Sequence, residues 1–136
     1  MTESADRAAR RGFWRLAAAH LAAWTLLPAL CYPNAPLDAV EMYYWGHQWQ
    51  WGYSKHPPLP GWLAAVVVDG GLGAPGLYLL SQLCVLACFW SAWRLGVELL
   101  GPRLALWSVV LLQGVFYFSV TSPEFNNNLG LMAFLA

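Results

Sequence analysis

Long uncharged apolar runs constrain this chain more than any other feature of its sequence. Such runs cover residues 13–31 (with Arg15 as the one charge), 70–93 and 104–123, and a fourth begins near residue 126. A membrane-spanning helix needs about 20 predominantly apolar residues. Only 10% of the residues are charged, whereas an ordinary soluble domain carries about 25%. We therefore predict an all-α fold of several transmembrane helices.

The runs predict a polar tail and four spans. The tail is residues 1–12, and the spans lie at about 13–32, 72–97, 103–121 and 125–136. The first run exceeds the roughly 7–15 apolar residues of a signal peptide and lacks a small-residue cleavage site after it, so we expect a retained helix. The fourth run reaches Ala136 after 11 residues, too few to cross a bilayer. We expect residues 13–136 to be the N-terminal part of a larger transmembrane domain, or a truncated product.

The basic residues predict the orientation of the chain. Lys55 lies between spans one and two, whereas the other six basic residues lie in the tail, at the start of span one, or around the turn between spans two and three: Arg7, Arg10, Arg11, Arg15, Arg94 and Arg103. Because basic residues favour the cytoplasmic side, we predict a cytoplasmic N-terminus and an extracytoplasmic loop at 33–71. The zero net charge gives no global field that would favour a nucleic-acid partner.

The loop at 33–71 concentrates most of the polar chemistry in the stretch "DAVEMYYWGHQWQWGYSKHPPLPGW". We expect a short helix to begin at Leu37, after two prolines. The three prolines at 57, 58 and 60 predict an extended stretch. The apolar segment 61–68 is too short to span, so we predict an interfacial helix there. The aromatic side chains suit a membrane interface.

Asp38 and Glu41 are the first candidates for chemistry, because residues three apart share one face of a helix. Neighbouring carboxylates raise the pKa of one of the pair, and such a group can act as a general base. The alternative is an acid-rich first helical turn with no catalytic role. Lys55 could bind a lipid phosphate, or it could be an ordinary snorkelling lysine.

His47 and His56 could bind a metal together with the carboxylates, but their spacing matches no compact zinc motif. We therefore predict no metal site and keep a divalent metal as the alternative. In the second predicted outer loop, Glu124 is followed by three amides, Asn126 to Asn128. These amides either line a polar cavity or cap the fourth span.

The run "DAVEMYYWGHQWQWGYSKHPPLPGWL" resembles the first extracytoplasmic loop of the GT-C superfamily of membrane glycosyltransferases. More closely, it resembles bacterial family 39-like members, which are related to protein O-mannosyltransferases and the lipid A aminoarabinose transferase. These proteins place an acidic pair before an aromatic-rich helix, then Gly-Tyr and His-Pro-Pro. The corresponding residues here are Asp38 with Glu41, Tyr43-Tyr44-Trp45, Gly52-Tyr53 and His56-Pro57-Pro58. The later "SPEFNNNLGLMAFLA" resembles the next outer loop of the family.

The resemblance implies a bacterial cytoplasmic-membrane enzyme that transfers a sugar from a polyprenyl-phosphate donor, with inversion and without a cofactor. The acceptor would be a hydroxyl group of a lipid, a glycan or a protein. Asp38 or Glu41 would be the base; many relatives have adjacent acids, whereas Ala39 and Val40 separate them here, so both stay open. Lys55 and His56 would bind the donor phosphate. The substrate cavity would be lined by Tyr44, His47, Tyr53, Glu124, Asn126 and Asn127.

The rival interpretations are a membrane protein without catalytic activity, such as a transporter fragment, and an inactive remnant of the enzyme. A transporter should carry polar residues near the middle of its spans. The first three runs offer only three imidazole or amide side chains, His20, Gln82 and Gln113, which weighs against transport.

Overall fold

The computed structural model describes residues 3–136, and that range is helical with no strand. Its α-helices are α1 (Glu3–Cys31), α2 (Leu37–His47), α3 (Pro58–Val67), α4 (Gly73–Leu100), α5 (Pro102–Leu112) and α6 (Asn127–Leu135). A π-helical segment, Val68–Leu72, joins α3 to α4, and a 3₁₀ turn, Phe116–Phe118, lies between α5 and α6. The predicted all-α class is confirmed.

One helical stretch of the described chain, Pro58–Leu100, is long and apolar enough to cross a membrane. It is not straight, because Gly71 has a φ of 97°, a left-handed conformation that glycine adopts readily. Beyond this bend, α4 has 28 residues and is about 42 Å long, more than the roughly 30 Å hydrocarbon core. The other predicted spans and the interfacial position of α3 stay predictions.

The continuous helix expected over 103–121 is not observed. α5 ends at Leu112 and turns follow it. Gly114 lies in these turns, and Val115 is extended, with a φ of −77° and a ψ of 125°. Glycine, β-branched and aromatic residues all have lower helix propensity than leucine, and this segment combines the three. The chain between α5 and α6 is therefore an irregular segment, residues 113–126.

The proline-rich stretch also differs from the expectation. Pro57 is extended, but Pro58 begins α3 and Pro60 lies within it. Proline suits the first helical turn because its fixed φ matches the helix and no intrahelical partner is needed for its nitrogen. The prolines therefore start this helix instead of prolonging an extended stretch.

Helices α1, α4 and α5 pack around a shared apolar core. Phe13 of α1, Phe89 of α4 and Val109 of α5 are buried in one cluster. The helices approach closely at small residues: a Cβ on Gly96 would lie 2.9 Å from the Cβ of Ala105. Small residues at such crossings are typical of membrane helices.

A second apolar cluster fixes the loop at 33–71 against the bundle. Ala39 and Met42 of α2 pack with Ala64, Leu77 and Phe125. Gly46 of α2 lies directly against the backbone of Gly61 in α3, leaving no room for a Cβ at position 46. The loop is therefore a packed helical pair, and Phe125 ties the irregular segment to it.

The two ends of the bundle differ in charge and in the loop segments that they carry. Arg10 of α1 and Arg94 of α4 line the same cavity at one end, and Arg103 lies near the start of α1 in another. At the other end, Tyr32 contacts the ring of Tyr78. One end is thus rich in arginine, and the opposite end carries the loop at 33–71 and the irregular segment.

Candidate functional site

Helix α2 carries both candidate acids on its partly buried side. It begins at Leu37, directly after Pro36, and Asp38 in its first turn is favourably placed for the helix dipole. Asp38 and Glu41 are each half-buried, whereas Val40 between them is exposed. The spacing that predicted a shared face therefore brings the two carboxylates to the same surface of the helix.

Glu41 is held by a cation. The Lys55 ammonium donates hydrogen bonds of 2.8 and 2.9 Å to the two carboxylate oxygens, and Trp45 Nε1 donates a longer one of 3.4 Å. The hydrogen bonds from Lys55 are the main reason why the pKa of Glu41 lies below its ordinary value of 4.5. Glu41 is therefore ionised at neutral pH and is already engaged as an acceptor.

His56 lies beside this ion pair. Its Nε2 is 3.6 Å from Glu41 Oε2, which is beyond hydrogen-bond distance. The nitrogen is buried and, among the described residues, has no hydrogen-bond partner. The structure thus brings both residues of the predicted phosphate site to Glu41, with Lys55 exposed and His56 enclosed.

Asp38 has a different partner, from the other outer segment. Asn126 Nδ2 donates a hydrogen bond of 3.3 Å to Asp38 Oδ2, and Asn126 Oδ1 accepts one of 3.1 Å from the backbone N–H of Leu129. The same amide therefore caps α6 and reaches the acid on α2. The cap interpretation of the asparagine run therefore holds at Asn126, whereas the cavity-lining interpretation stays a prediction.

The two neighbouring candidates lie close to this contact. Glu124 lines a cavity of about 210 Å³ together with Tyr32, Pro36 and Thr121. Asn127 is half-buried at the start of α6. The cavity lies where the end of α1, the start of α2 and the irregular segment meet.

His47 lies in a separate polar cluster. Its Nδ1 is 3.1 Å from Asp69 Oδ2, and the Tyr43 hydroxyl donates a hydrogen bond of 2.9 Å to Asp69 Oδ1. That hydrogen bond is the main cause that raises the pKa of Tyr43. No role was assigned to Asp69 from the sequence, so this contact was missed. Across residues 3–136, no cluster of three or more potential metal-binding side chains forms.

The tyrosine candidates lie on the aromatic surface of the loop. The Tyr53 ring is 5.3 Å from that of Trp45, and its hydroxyl accepts a hydrogen bond of 3.2 Å from the Gln50 backbone. Tyr44 is exposed and lies edge-on to Trp45. Tyr53 thus borders the Glu41 site through Trp45, whereas Tyr44 faces outward.

A small apolar cavity follows the His-Pro-Pro motif. It measures about 150 Å³ and lies between the start of α3 and α6, lined by Pro57, Leu59, Pro60, Gly130, Leu131 and Phe134. None of its lining side chains among residues 3–136 is polar. Sequence reasoning missed this cavity, because it depends on how α6 packs against the prolines.

Comparison with known proteins gives one match. The family model described as dolichyl-phosphate-mannose-protein mannosyltransferase matches residues 55–136, well over half of the chain. The matched region includes Lys55, His56, Glu124 and Asn126, whereas Asp38 and Glu41 precede it. No curated protein and no solved structure matches the chain.

Proposed function

The chain belongs to the dolichyl-phosphate-mannose-protein mannosyltransferase family, and on that premise we propose that it transfers a sugar from a polyprenyl-phosphate donor to a hydroxyl acceptor at the outer membrane face. The family supports glycosyl transfer. The residue roles, the inverting course and the orientation are our proposals, and each is argued from the geometry of the described residues.

The observation that carries the proposal is the unequal pair of acids on α2. Glu41 is neutralised by Lys55, whereas the Asp38 carboxylate accepts its hydrogen bond from a neutral amide. A general base must be free to take a proton from the attacking hydroxyl. Asp38 meets this requirement better than Glu41, because its charge is not engaged by a cation among residues 3–136.

In the proposed reaction, the acceptor oxygen attacks the anomeric carbon from the face opposite the phosphate. The new C–O bond forms as the bond from that carbon to the phosphate oxygen breaks, which inverts the configuration. Asp38 takes the hydroxyl proton, and the polyprenyl phosphate leaves with the bonding electron pair. No cofactor is needed to balance these steps.

Lys55 can stabilise the leaving phosphate without leaving Glu41. An ammonium group has three N–H donors, and two of them bond to Glu41. The third can reach a phosphate oxygen, and its interaction strengthens as negative charge develops there. His56 packs against Glu41, so in this proposal it orients the carboxylate that holds Lys55.

The two cavities suit the two substrates. The apolar cavity beside Pro57 lies next in sequence to Lys55 and His56, and it suits the first isoprene units of the donor. The cavity lined by Glu124 and Thr121 offers polar atoms to a hydroxyl-bearing acceptor. Asp38 contacts Asn126, which lies in the sequence between Glu124 of one cavity and Gly130 of the other.

The proposed orientation puts the arginine-rich end of the bundle in the cytoplasm of a bacterial cell. Arg10 and Arg94 share a cavity at that end, which supports the prediction that the N-terminus and the α4–α5 turn lie on one side. The site is then extracytoplasmic, where the donor lipid stays in the bilayer and its sugar reaches the loop.

The proposal is tested by transfer assays with the full-length protein reconstituted in liposomes. Polyprenyl-phosphate sugars should transfer label to a hydroxyl acceptor, whereas nucleotide sugars should not. Transfer from a nucleotide sugar alone, or no transfer from any polyprenyl-phosphate sugar by a correctly folded sample, would contradict it.

A further inference from the structure

A chain of buried polar side chains crosses the interior of the bundle. His20 Nε2 of α1 is 3.1 Å from Gln82 Oε1 of α4, and Gln82 Nε2 donates a hydrogen bond of 3.2 Å to Ser122 Oγ. His20 is 3% exposed, and Gln82 and Ser122 are fully buried. Polar side chains in a membrane interior are costly unless they are paired, and they frequently have a function.

This row of polar side chains ends in the irregular segment, residues 113–126. The Ser122 hydroxyl donates a hydrogen bond of 2.7 Å to the backbone carbonyl of Ser119. This segment contains turns and no α-helix, and local turn hydrogen bonds, such as the 3.2 Å one from the Ser122 N–H to the Ser119 carbonyl, hold its backbone. Ser122 is the point where the polar chain attaches this segment to the rigid helix α4.

The segment leads directly from Ser122 to the proposed catalytic acid. Phe125, three residues later, is buried in the cluster with Met42 of α2. Asn126, the next residue, donates to Asp38. A shift of the segment at Ser122 would therefore change the contact that orients Asp38.

We infer that Gln82 and Ser122 are positioning residues, which hold the segment 113–126 so that Asn126 orients Asp38. This inference rests on the proposed function, because it assigns a purpose to the orientation of Asp38. His20 contacts Gln82 from the opposite side. None of the three touches the reacting atoms.

Ser81 provides a matched control. It neighbours Gln82 on α4 and is fully buried like Ser122, but its hydroxyl has no hydrogen-bond partner among the described residues. Ser81→Ala and Ser122→Ala therefore delete the same atom from equally buried positions, and only Ser122→Ala cuts the polar chain. Gln82→Met removes the hydrogen bonds of the Gln82 side chain on α4, with little change of side-chain volume.

The experiment combines hydrogen exchange with kinetics on the full-length protein in nanodiscs. Ser122→Ala and Gln82→Met both lose the hydrogen bond between Gln82 and Ser122. In both variants the hydrogen-bonded amides of this stretch should exchange at least about 10-fold faster, the usual effect of losing a buried hydrogen bond; these amides belong to Thr121, Ser122, Glu124 and Phe125. kcat should fall by about the same factor, and KM for the donor should stay within about two-fold, because Lys55 is not moved. Gln82→Glu should keep most of kcat, because a neutral carboxylic acid can both accept and donate. Ser81→Ala should change neither measurement.

Unchanged exchange in Ser122→Ala would overturn the inference, and so would faster exchange with an unchanged kcat. An equal loss of kcat in Ser81→Ala would also overturn it, because the effect would then be one of packing. Hydrogen exchange needs no substrate. If the proposed transfer fails, the segment 113–126 still loosens in Ser122→Ala. If only the inference fails, the wild-type protein still transfers sugar.

Discussion

Lys55 binds both carboxylate oxygens of Glu41, at 2.8 and 2.9 Å, although 14 positions separate the two residues. This contact makes the two acids of α2 chemically unequal. Glu41 has a cation of its own, and Asp38, one helical turn earlier, has an amide. The division of roles in the proposed reaction follows from this difference.

The first prediction concerns Lys55 as the phosphate contact. Lys55→Ala should lower kcat by about 10- to 100-fold, because a cation beside the leaving phosphate stabilises the transition state more than the ground state. Lys55→Arg should restore part of kcat and of donor affinity. Kinetics at saturating and limiting donor measure both. If Lys55 were only a snorkelling lysine, both variants would change kcat and donor affinity little. That outcome would place the phosphate site elsewhere.

The second prediction concerns the pH dependence of stability. The folded-state pKa of Glu41 is lowered, chiefly by the hydrogen bonds from Lys55. Its stabilising contribution is therefore fully present above the ordinary pKa of 4.5 and is lost as the pH falls through the lowered folded value.

Wild type should accordingly melt a few degrees above Glu41→Gln at neutral pH, a small shift because the pair is partly exposed. The difference should shrink on acidification below about pH 4. Thermal unfolding at several pH values measures it. A difference in melting temperature that grows as the pH falls would mean that the folded-state pKa of Glu41 is raised instead.

The third prediction separates the two roles of Asn126. Asn126→Asp keeps an N-cap oxygen for α6, but it replaces the amide that donates to Asp38 with a second carboxylate, which cannot donate when ionised. Asp38 then loses the hydrogen bond that orients it, so kcat at neutral pH should fall by about 10-fold. Asn128→Asp, at an exposed neighbouring position, is the control and should leave kcat unchanged. Equal kcat values for the two variants would exclude a functional Asp38–Asn126 contact.

The fourth prediction concerns topology. Ser54 is exposed in the loop, so a Ser54→Cys variant lacking Cys31, Cys84 and Cys88 should react with a membrane-impermeant thiol reagent in intact cells. The reason is the six-to-one distribution of basic residues. Labelling only after lysis would reverse the proposed orientation.

The features that local chemistry decides could be predicted from the sequence. The start of α2 follows from Pro36 and Leu37, and the shared face of Asp38 and Glu41 follows from helical spacing. The end of α5 was not predicted, because the uncharged apolar run 104–123 was interpreted as one span. Gly114 and Val115 interrupt the helix within that run.

The contacts across the fold could not be predicted from local pattern. Lys55 to Glu41, His47 to Asp69 and Asn126 to Asp38 each join residues that are distant in sequence. Such pairs depend on how α2, α3 and the irregular segment pack together. The buried chain at Gln82 belongs to the same class, because nothing in the sequence marks Ser122 as its partner.

The most direct test of the account is the turnover of Asp38→Asn in the full-length enzyme, measured beside Glu41→Gln at saturating donor and acceptor. Asparagine keeps the size of the side chain and cannot accept the proton. The account predicts a loss of at least about 100-fold in Asp38→Asn, the usual contribution of a positioned base, and a smaller loss in Glu41→Gln. Near wild-type turnover in a correctly inserted Asp38→Asn variant would contradict the central claim.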